Sequence, residues 1–551
     1  MGLIIAALFF LAIIVLINSW GILDFTEGTH LQFGEILVFS VHPYNQLMLF
    51  GFSFVGALAL LFGLHILSRQ EMGLSLWAVS SAMGVVLAES FLTLFLFWEL
   101  LTFSVAGIII INTARNHQLW KGIKFLYLHI IGGLFLLFGI LIHFWETGSF
   151  SITDPESGLW FFLIGIGIKT AFLPVHVWVL WGYPNAQFSA SVLLSGLTTK
   201  IGVYAIARIL PAHPGLVLMG CAMALMGIAC ALLQNNLRRL LAYHIISQVG
   251  YMVAGVSLGT AMATDGGLLH VVNHMLYKAL LFMSAGAAFY ATKTENINVL
   301  LHSNTNNNQK PLYTLLPVGF MGALSGALAI SGIPPFNGFV SKHLLKAAFE
   351  DTGIFQIMLL VASAGTALSF SKFVYLGFIK PKINIIKTLT PHMKTALALG
   401  SLATLVLGAL PQILQELLPY ASSVDVYSLT GVRDALLLGG LGVLIFIPAS
   451  SPLEKGINLP AWFSIDHLFS RGYRRLRTFF YGALLLSREL TLEIEHLEHD
   501  HEASDNKEGD FEEIEEIKDK ITIANMNFDQ FLFFSILVAV IAILILFGWG
   551  L

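Results

Sequence analysis

At 551 residues, with 56% hydrophobic and 11% charged side chains and a mean hydropathy of +0.79, the chain falls in the membrane class rather than the globular one. The net charge of -4 comes mostly from one acidic tail, which leaves nucleic-acid binding without support. Cys221 and Cys230 lie in an apolar segment without CxxC spacing, which argues against a disulfide framework and against an iron-sulfur or zinc centre.

The first apolar run, Leu3 to Ile17, lacks a basic n-region and a small-residue cleavage site, so it reads as a retained helix rather than a signal peptide. It and the runs Leu47 to Leu67, Leu216 to Leu233 and Phe531 to Leu546 approach or exceed the roughly 20 apolar residues that span hydrocarbon. The chain is therefore expected to be an all-α polytopic membrane protein with about fifteen transmembrane helices. With the N-terminus on the cytoplasmic side of a plasma membrane, the first outer loop, from Asn18 to Asn45, carries no Lys or Arg. The inner loops then hold Arg69, Arg115 and Lys121, Arg238 and Arg239, Lys293 and Lys310, and Lys380, Lys382 and Lys387. That alternation requires Pro311 to Phe349 to cross once, as a helix interrupted at Gly332, Pro334 and Pro335.

A second interruption precedes it in the chain: Pro174 breaks an apolar segment five residues after Lys169, just as Pro335 falls seven residues before Lys342. Proline-broken helices in corresponding places of two halves point to inverted repeats with a site near the membrane midplane. The expected layout is N-terminal helices (1–72), a first repeat (73–210), a linking helix (211–239), a second repeat (240–380), C-terminal helices (381–450), an interfacial helix with an acidic linker (451–525), and a last span (526–551).

Five ionisable residues, Glu99, Lys169, Lys200, Lys278 and Lys342, lie inside or beside these apolar runs. A charge at membrane depth costs roughly 2.5 to 3.5 kcal/mol even on lenient insertion scales, so its default reading is an ion pathway. His270, His274 and Lys278 stand at i, i+4 and i+8 and share one helix stripe. Imidazole both donates and accepts near neutral pH, which suits these side chains to passing protons; the plainer alternative is that the histidines only bridge neighbouring helices. Glu99 moving toward or away from Lys169 would load or unload a proton on that lysine, whereas a static ion pair would only fix packing. Lys200 is the natural next acceptor unless it snorkels. Lys124 and His129, five residues apart after Glu99, either extend this axis or, for Lys124, reach the interface.

Toward the C-terminus, Ala461 to Glu489 mixes Trp462, Phe463, Leu468, Phe479 and Phe480 with Arg471, Arg474, Arg475 and Arg477, a composition suited to a helix lying on the inner interface. The acidic segment Glu493 to Lys520 follows; its His496, His499 and His501 could bind a metal, but a solvated charged linker explains them better.

The motifs FLFWELL around Glu99, GIKTAFLPVHVW around Lys169, LLAYHIISQVGYM around His244, HMLYKALLF around Lys278 and ALAISGIPPFNGFVSK ending at Lys342 resemble the antiporter-like family. This family comprises the proton-pumping membrane subunits of respiratory complex I, the large subunits of Mrp-type sodium/proton antiporters and their membrane-bound hydrogenase relatives. The resemblance covers roughly residues 45 to 410, and TTKIGVYAIAR with LLAYHIISQVGYM look most like the D-type Mrp subunit. It implies a pairing of Glu99 with Lys169, a lysine at 200, a central relay of His270, His274 and Lys278, and a terminal Lys342; His244, inside a matched motif, and Lys124 and His129, from their place after Glu99, are further candidates. The terminal lysine is similar to that of the most distal complex I subunit. Only three apolar spans precede the Glu99 helix, one fewer than the resemblance leads one to expect.

The expected function is proton translocation within a larger membrane complex, beside related antiporter-like subunits. No nucleotide loop, flavin fingerprint or haem motif occurs, so no cofactor is expected, no catalytic chemistry is assigned to this chain, and any redox energy must come from partners. Two alternatives stand beside that reading. One is a subunit of an Mrp-type Na+/H+ antiporter or of a proton-driven bicarbonate uptake system; the other is a scaffold whose buried charges only lock helix packing.

Overall fold

A lipid core offers backbone groups no water, so apolar runs of this length must close their hydrogen bonds within helices. In the computed structural model, which describes residues 2–19, 31–33, 37–115, 119–302, 310–422 and 425–455, they do. In chain order the helices are α1 (Gly2–Ser19), α2 (Pro43–Gly63), α3 (Arg69–Leu87), α4 (Phe91–Arg115), α5 (Leu119–Thr147), α6 (Leu159–Thr170), α7 (Trp178–Gly182), α8 (Phe188–Ile209), α9 (Pro214–Leu232) and α10 (Leu237–Val256). There follow α11 (Ala261–Thr292), the short α12 (Ile297–Leu301) and α13 (Leu312–Leu315), α14 (Pro317–Ser331), α15 (Asn337–Ala348), α16 (Ile354–Val374), α17 (Pro391–Ala409), the short α18 (Gln412–Gln415) and α19 (Leu429–Lys455). A small antiparallel pair, Leu31–Phe33 with Leu37–Phe39, precedes α2. Ten of the described helical segments are long and apolar enough to cross a membrane, and Ile4–Val15 and Pro317–Ser331 are shorter apolar helices. The basic-aromatic stretch, the histidine-bearing linker and the last apolar run lie outside the described residues.

Local chemistry sets the helix ends. Ser68 and Glu71 form a reciprocal capping box at the start of α3, and Asn236, Thr260 and Thr390 accept from backbone amides at the starts of α10, α11 and α17. Proline occupies the first turn of α2, α9, α14 and α17, where its missing N–H costs nothing.

Both expected helix breaks are present. α6 stops at Thr170, where Ala171 takes a left-handed conformation with φ 65°, and the chain returns through a 3-10 turn to α7. α14 stops at Ser331 with Gly332 at φ 75°, a conformation that favours glycine, and α15 resumes at Asn337. Leu312 donates to the Pro381 carbonyl at one end of the bundle, while Phe349 packs among Val217, Cys221 and Ala254 at the other. The stretch from Pro311 to Phe349 thus passes through the bundle once.

Two sets of helices repeat one packing order. In the first, α3 packs on α4, α4 on α5, α5 on α6, and α8 returns to α6 and α3; in the second, α9 packs on α10, α10 on α11, α11 on α14 and α15, and α16 returns to α14 and α9. α9 therefore occupies in the second set the place that α3 holds in the first. Its contact with α10 is close because small residues face each other: a Cβ on Gly220 would lie 2.5 Å from the Gly250 carbonyl oxygen. Large apolar side chains such as Phe138, Trp145, Trp160, Val361, Leu402 and Leu444 are exposed, which suits a surface facing lipid or neighbouring subunits.

Candidate ion pathway

Helix α6 carries Lys169 in its last turn, and the break that follows aims it at α4. There Nζ donates to the Trp98 carbonyl (2.8 Å) and to Thr102 Oγ1 (2.9 Å), and it lies 4.3 Å from the centre of the Trp98 ring. Trp178 Nε1 closes the break by donating to the Ile168 carbonyl (2.8 Å), one of the acceptors that a helix end leaves open. The expected direct pairing with Glu99 is not formed. Glu99 turns instead toward Gly133 of α5, where a Cβ would sit 2.1 Å from Oε1, and that oxygen is buried without a hydrogen-bond partner. The two groups remain close enough for their charges to interact. Neutral acceptors on α4 have taken the place that the sequence assigned to a carboxylate.

His129 is buried four residues before Gly133, stacked on Phe125 at 4.0 Å and edge-on to Trp178 at 4.6 Å; its Nδ1 donates to the Phe125 carbonyl and its Nε2 has no protein partner. The same Trp178 closes the helix end beside Lys169, so His129 borders the first break. Lys124, five residues earlier on α5, holds its ammonium 5.2 Å over the ring of Trp181 in α7.

The first break reaches α8 through Thr170, which packs on Gly202 in the turn after Lys200. Lys200 is fully buried and donates to the Ser195 carbonyl (2.5 Å) and Thr199 Oγ1 (3.0 Å). Its charge reaches His274 and Lys278 of α11. Neither ring nitrogen of His274 nor Lys278 Nζ has a protein hydrogen-bond partner, and Lys278 lies 5.5 Å over the Phe370 ring. Buried polar atoms of this kind are the usual seats of ordered water, which the conduction of protons also requires. His244 joins this centre from α10, with Nε2 2.7 Å from Ser369 Oγ of α16.

Four residues back along α11, His270 lies between Ser341 Oγ (2.9 Å from Nδ1) and Gln248 Oε1 (3.2 Å from Nε2). The amide oxygen accepts, so Nε2 carries the proton and Ser341 donates to Nδ1. Helix α15 is pinned here by a clasp of two asparagines: Asn273 Nδ2 donates to the Asn337 carbonyl (2.8 Å) and Asn337 Nδ2 to Asn273 Oδ1 (3.0 Å). The clasp fixes the second break between His270 and His274. Lys342 follows on α15, its stem against Gly332 and its Nζ buried, unpartnered and 5.3 Å over the Tyr251 ring. Its charge acts on His270 and His244.

All ten candidates lie in the helix bundle: Glu99, Lys124, His129, Lys169 and Lys200 in the first helix set, and His244, His270, His274, Lys278 and Lys342 in the second. Sequence reasoning passed over the residues that hold them: Thr102, Thr199, Ser341, Ser369, Gln248 and the asparagine clasp. Hydroxyls and amides carry no charge to flag them in an apolar run, although Asn337 and Ser341 stand inside a motif already singled out. Ionic pins at the two ends of the bundle were also missed. Arg238 pairs with Glu295 and Lys380 with Glu454 at the end that carries the basic loops. At the opposite end Arg208 pairs with Glu89 (2.8 Å), and Asp265 accepts from the Tyr420 and Ser422 amides (3.2 and 2.9 Å).

Fold and site together define a multi-pass membrane protein with a file of buried titratable groups threading two broken helices. Residues 88–369 match the family described as NADH:quinone oxidoreductase/Mrp antiporter, transmembrane, and the chain belongs to it. An uncharacterized protein of Methanocaldococcus jannaschii is 28% identical over 375 residues, 63% of this chain and 75% of that protein. The Na(+)/H(+) antiporter subunit A1 of Staphylococcus aureus is 28% identical over 434 residues, 67% of this chain, and the match spans about half (52%) of that longer subunit. The fold is shared with a chain of the Mrp complex from Dietzia sp. DQ12-45-1b (TM-score 0.68, 20% identity, 79% of this chain and 94% of that one). It is shared also with a chain of the archaeal membrane-bound sulfane sulfur reductase (TM-score 0.64, 24% identity, 72% and 70%).

Proposed function

We propose that this chain is the proton-translocating subunit of a multisubunit membrane complex, and that protons pass along Glu99, Lys169, Lys200, His274, Lys278, His244, His270 and Lys342. One observation carries the reading: buried lysines and histidines, none in a salt bridge among the described residues, occur from one broken helix to the other, and burying them costs too much for packing alone to account for. Glu99 acts as the movable charge. With its carboxylate against Gly133, Lys169 rests on neutral acceptors; a swing toward Lys169 favours the ammonium and draws the proton in. The working topology has about fifteen passages, a cytoplasmic N-terminus and a plasma-membrane location, with 73–210 and 240–380 as the two inverted repeats; the matched packing order argues for adding α9, taken from sequence as a linking helix, to the second.

Similarity to an Na(+)/H(+) antiporter subunit supports a second reading, in which the complex exchanges sodium for protons without a redox partner. Copurification separates the two, since iron-sulfur partners indicate redox coupling and small hydrophobic subunits an antiporter. The proposal itself is tested with Lys169→Ala and Glu99→Ala in the complete complex in proteoliposomes. Proton flux is lost while assembly is retained; normal flux with poor assembly would leave only the scaffold.

A further inference from the structure

Arg208 and Lys372 hold matching positions in the two helix sets. Arg208, near the end of α8, donates to the Ala88 carbonyl just past α3, and Lys372, near the end of α16, donates to the Leu232 and Gln234 carbonyls that finish α9 (2.8 Å each). Each is a cation on the open carbonyls of a helix C-terminus, a favourable place for positive charge. They differ in two respects. Arg208 has Glu89 as a counter-ion, whereas Lys372 donates to neutral carbonyls, although its side chain is fully buried. A guanidinium also never releases its proton in a protein, while an amine does.

The neighbourhood of Lys372 supplies a path. Ser369 lies three residues earlier on α16, hence on the same face, and its Oγ contacts His244 Nε2 at 2.7 Å. His244 in turn packs 4.5 Å from the Phe370 ring, over which Lys278 Nζ lies at 5.5 Å. A file of exchangeable protons therefore runs from the α9 terminus, at the end of the bundle with the basic loops, to the centre of α11.

We propose that Lys372 is the proton-uptake residue of the second helix set, delivering protons through Ser369 and His244 to Lys278, while Arg208 is a fixed lock at the opposite end. The proposal rests on the translocation reading above. The discriminating variant is Lys372→Arg, which keeps the charge and can keep both carbonyl contacts but cannot give up a proton. It is measured in the complete complex in proteoliposomes, beside Lys372→His and with Glu99→Ala as the control for the pathway as a whole. A tenfold or greater loss of proton flux in Lys372→Arg is expected, at unchanged melting temperature and assembly, with at least partial recovery in Lys372→His, whose imidazole titrates near neutral pH. Flux within twofold of wild type in Lys372→Arg overturns the uptake role and leaves a structural cap, as does equal loss in the Arg and His variants. If Glu99→Ala itself conducts normally, the translocation reading fails first.

Discussion

Gly133 offers a way to move Glu99 without altering any ionisable group. A Cβ at this position would lie 2.1 Å from Glu99 Oε1 and 2.8 Å from its Cδ, against about 3.4 Å for an ordinary contact, so Gly133→Ala must displace the carboxylate by roughly 1.3 Å. The displaced group is the far end of a flexible side chain, and Ala is the better helix former by about 1 kcal/mol, so stability should hold or rise. A misplacement of this order at a reacting group costs on the order of 100-fold, and flux should fall about 10- to 100-fold. The assay is proton flux in proteoliposomes carrying the assembled complex, with melting temperature followed in parallel. Wild-type flux in Gly133→Ala beside an inactive Glu99→Ala would refute the idea that the position of this carboxylate, rather than its presence, gates the first half of the path.

Three further outcomes can be checked directly. Burial raises the pKa of Glu89, but the His42 ring 3.2 Å away, the hydrogen bond from Ser40 and the Arg208 charge outweigh it and hold the carboxyl at about 2, below its free value of 4.5. That stabilisation, reduced by solvent screening of the half-exposed carboxylate to about 1 kcal/mol, is complete above pH 4.5 and fades as pH falls toward 2; Glu89→Gln should lower the melting temperature at pH 7 and flatten its decline between pH 4.5 and 2. Thr102→Val removes one acceptor from Lys169 while keeping shape, and a three- to tenfold change in flux with an altered pH profile is expected by the same proteoliposome assay. Gly202→Val forces a side chain against the Thr170 backbone nitrogen, 2.9 Å from the added Cβ, and should destabilise the chain by about 1 to 3 kcal/mol, read as lower yield and melting temperature.

The fold class was legible because hydrophobicity is a bulk signal: a run of some 20 apolar residues has one stable conformation in lipid, whatever its neighbours do. The basic loops and the single broken crossing from Pro311 to Phe349 followed from the same patterning. The partner of Lys169 was not legible, since a carboxylate one position from Trp98 looks like the stronger attraction in sequence. Only the side-chain directions on α4 show that Trp98 and Thr102 face the lysine while Glu99 faces α5. Lys372 escaped notice because it lies late in an apolar run near the basic loops, where a lysine usually snorkels.

The sequence by itself determined that this is a polytopic helical membrane protein with costly charges at membrane depth, because the energy of placing apolar and ionised groups in hydrocarbon depends on the residues alone. Tertiary structure decided which of those charges share a line, which hydroxyls and amides hold them, and where the carboxylate rests. Those are distances between residues far apart in the chain, 125 positions for His244 and Ser369, and helix packing alone sets them.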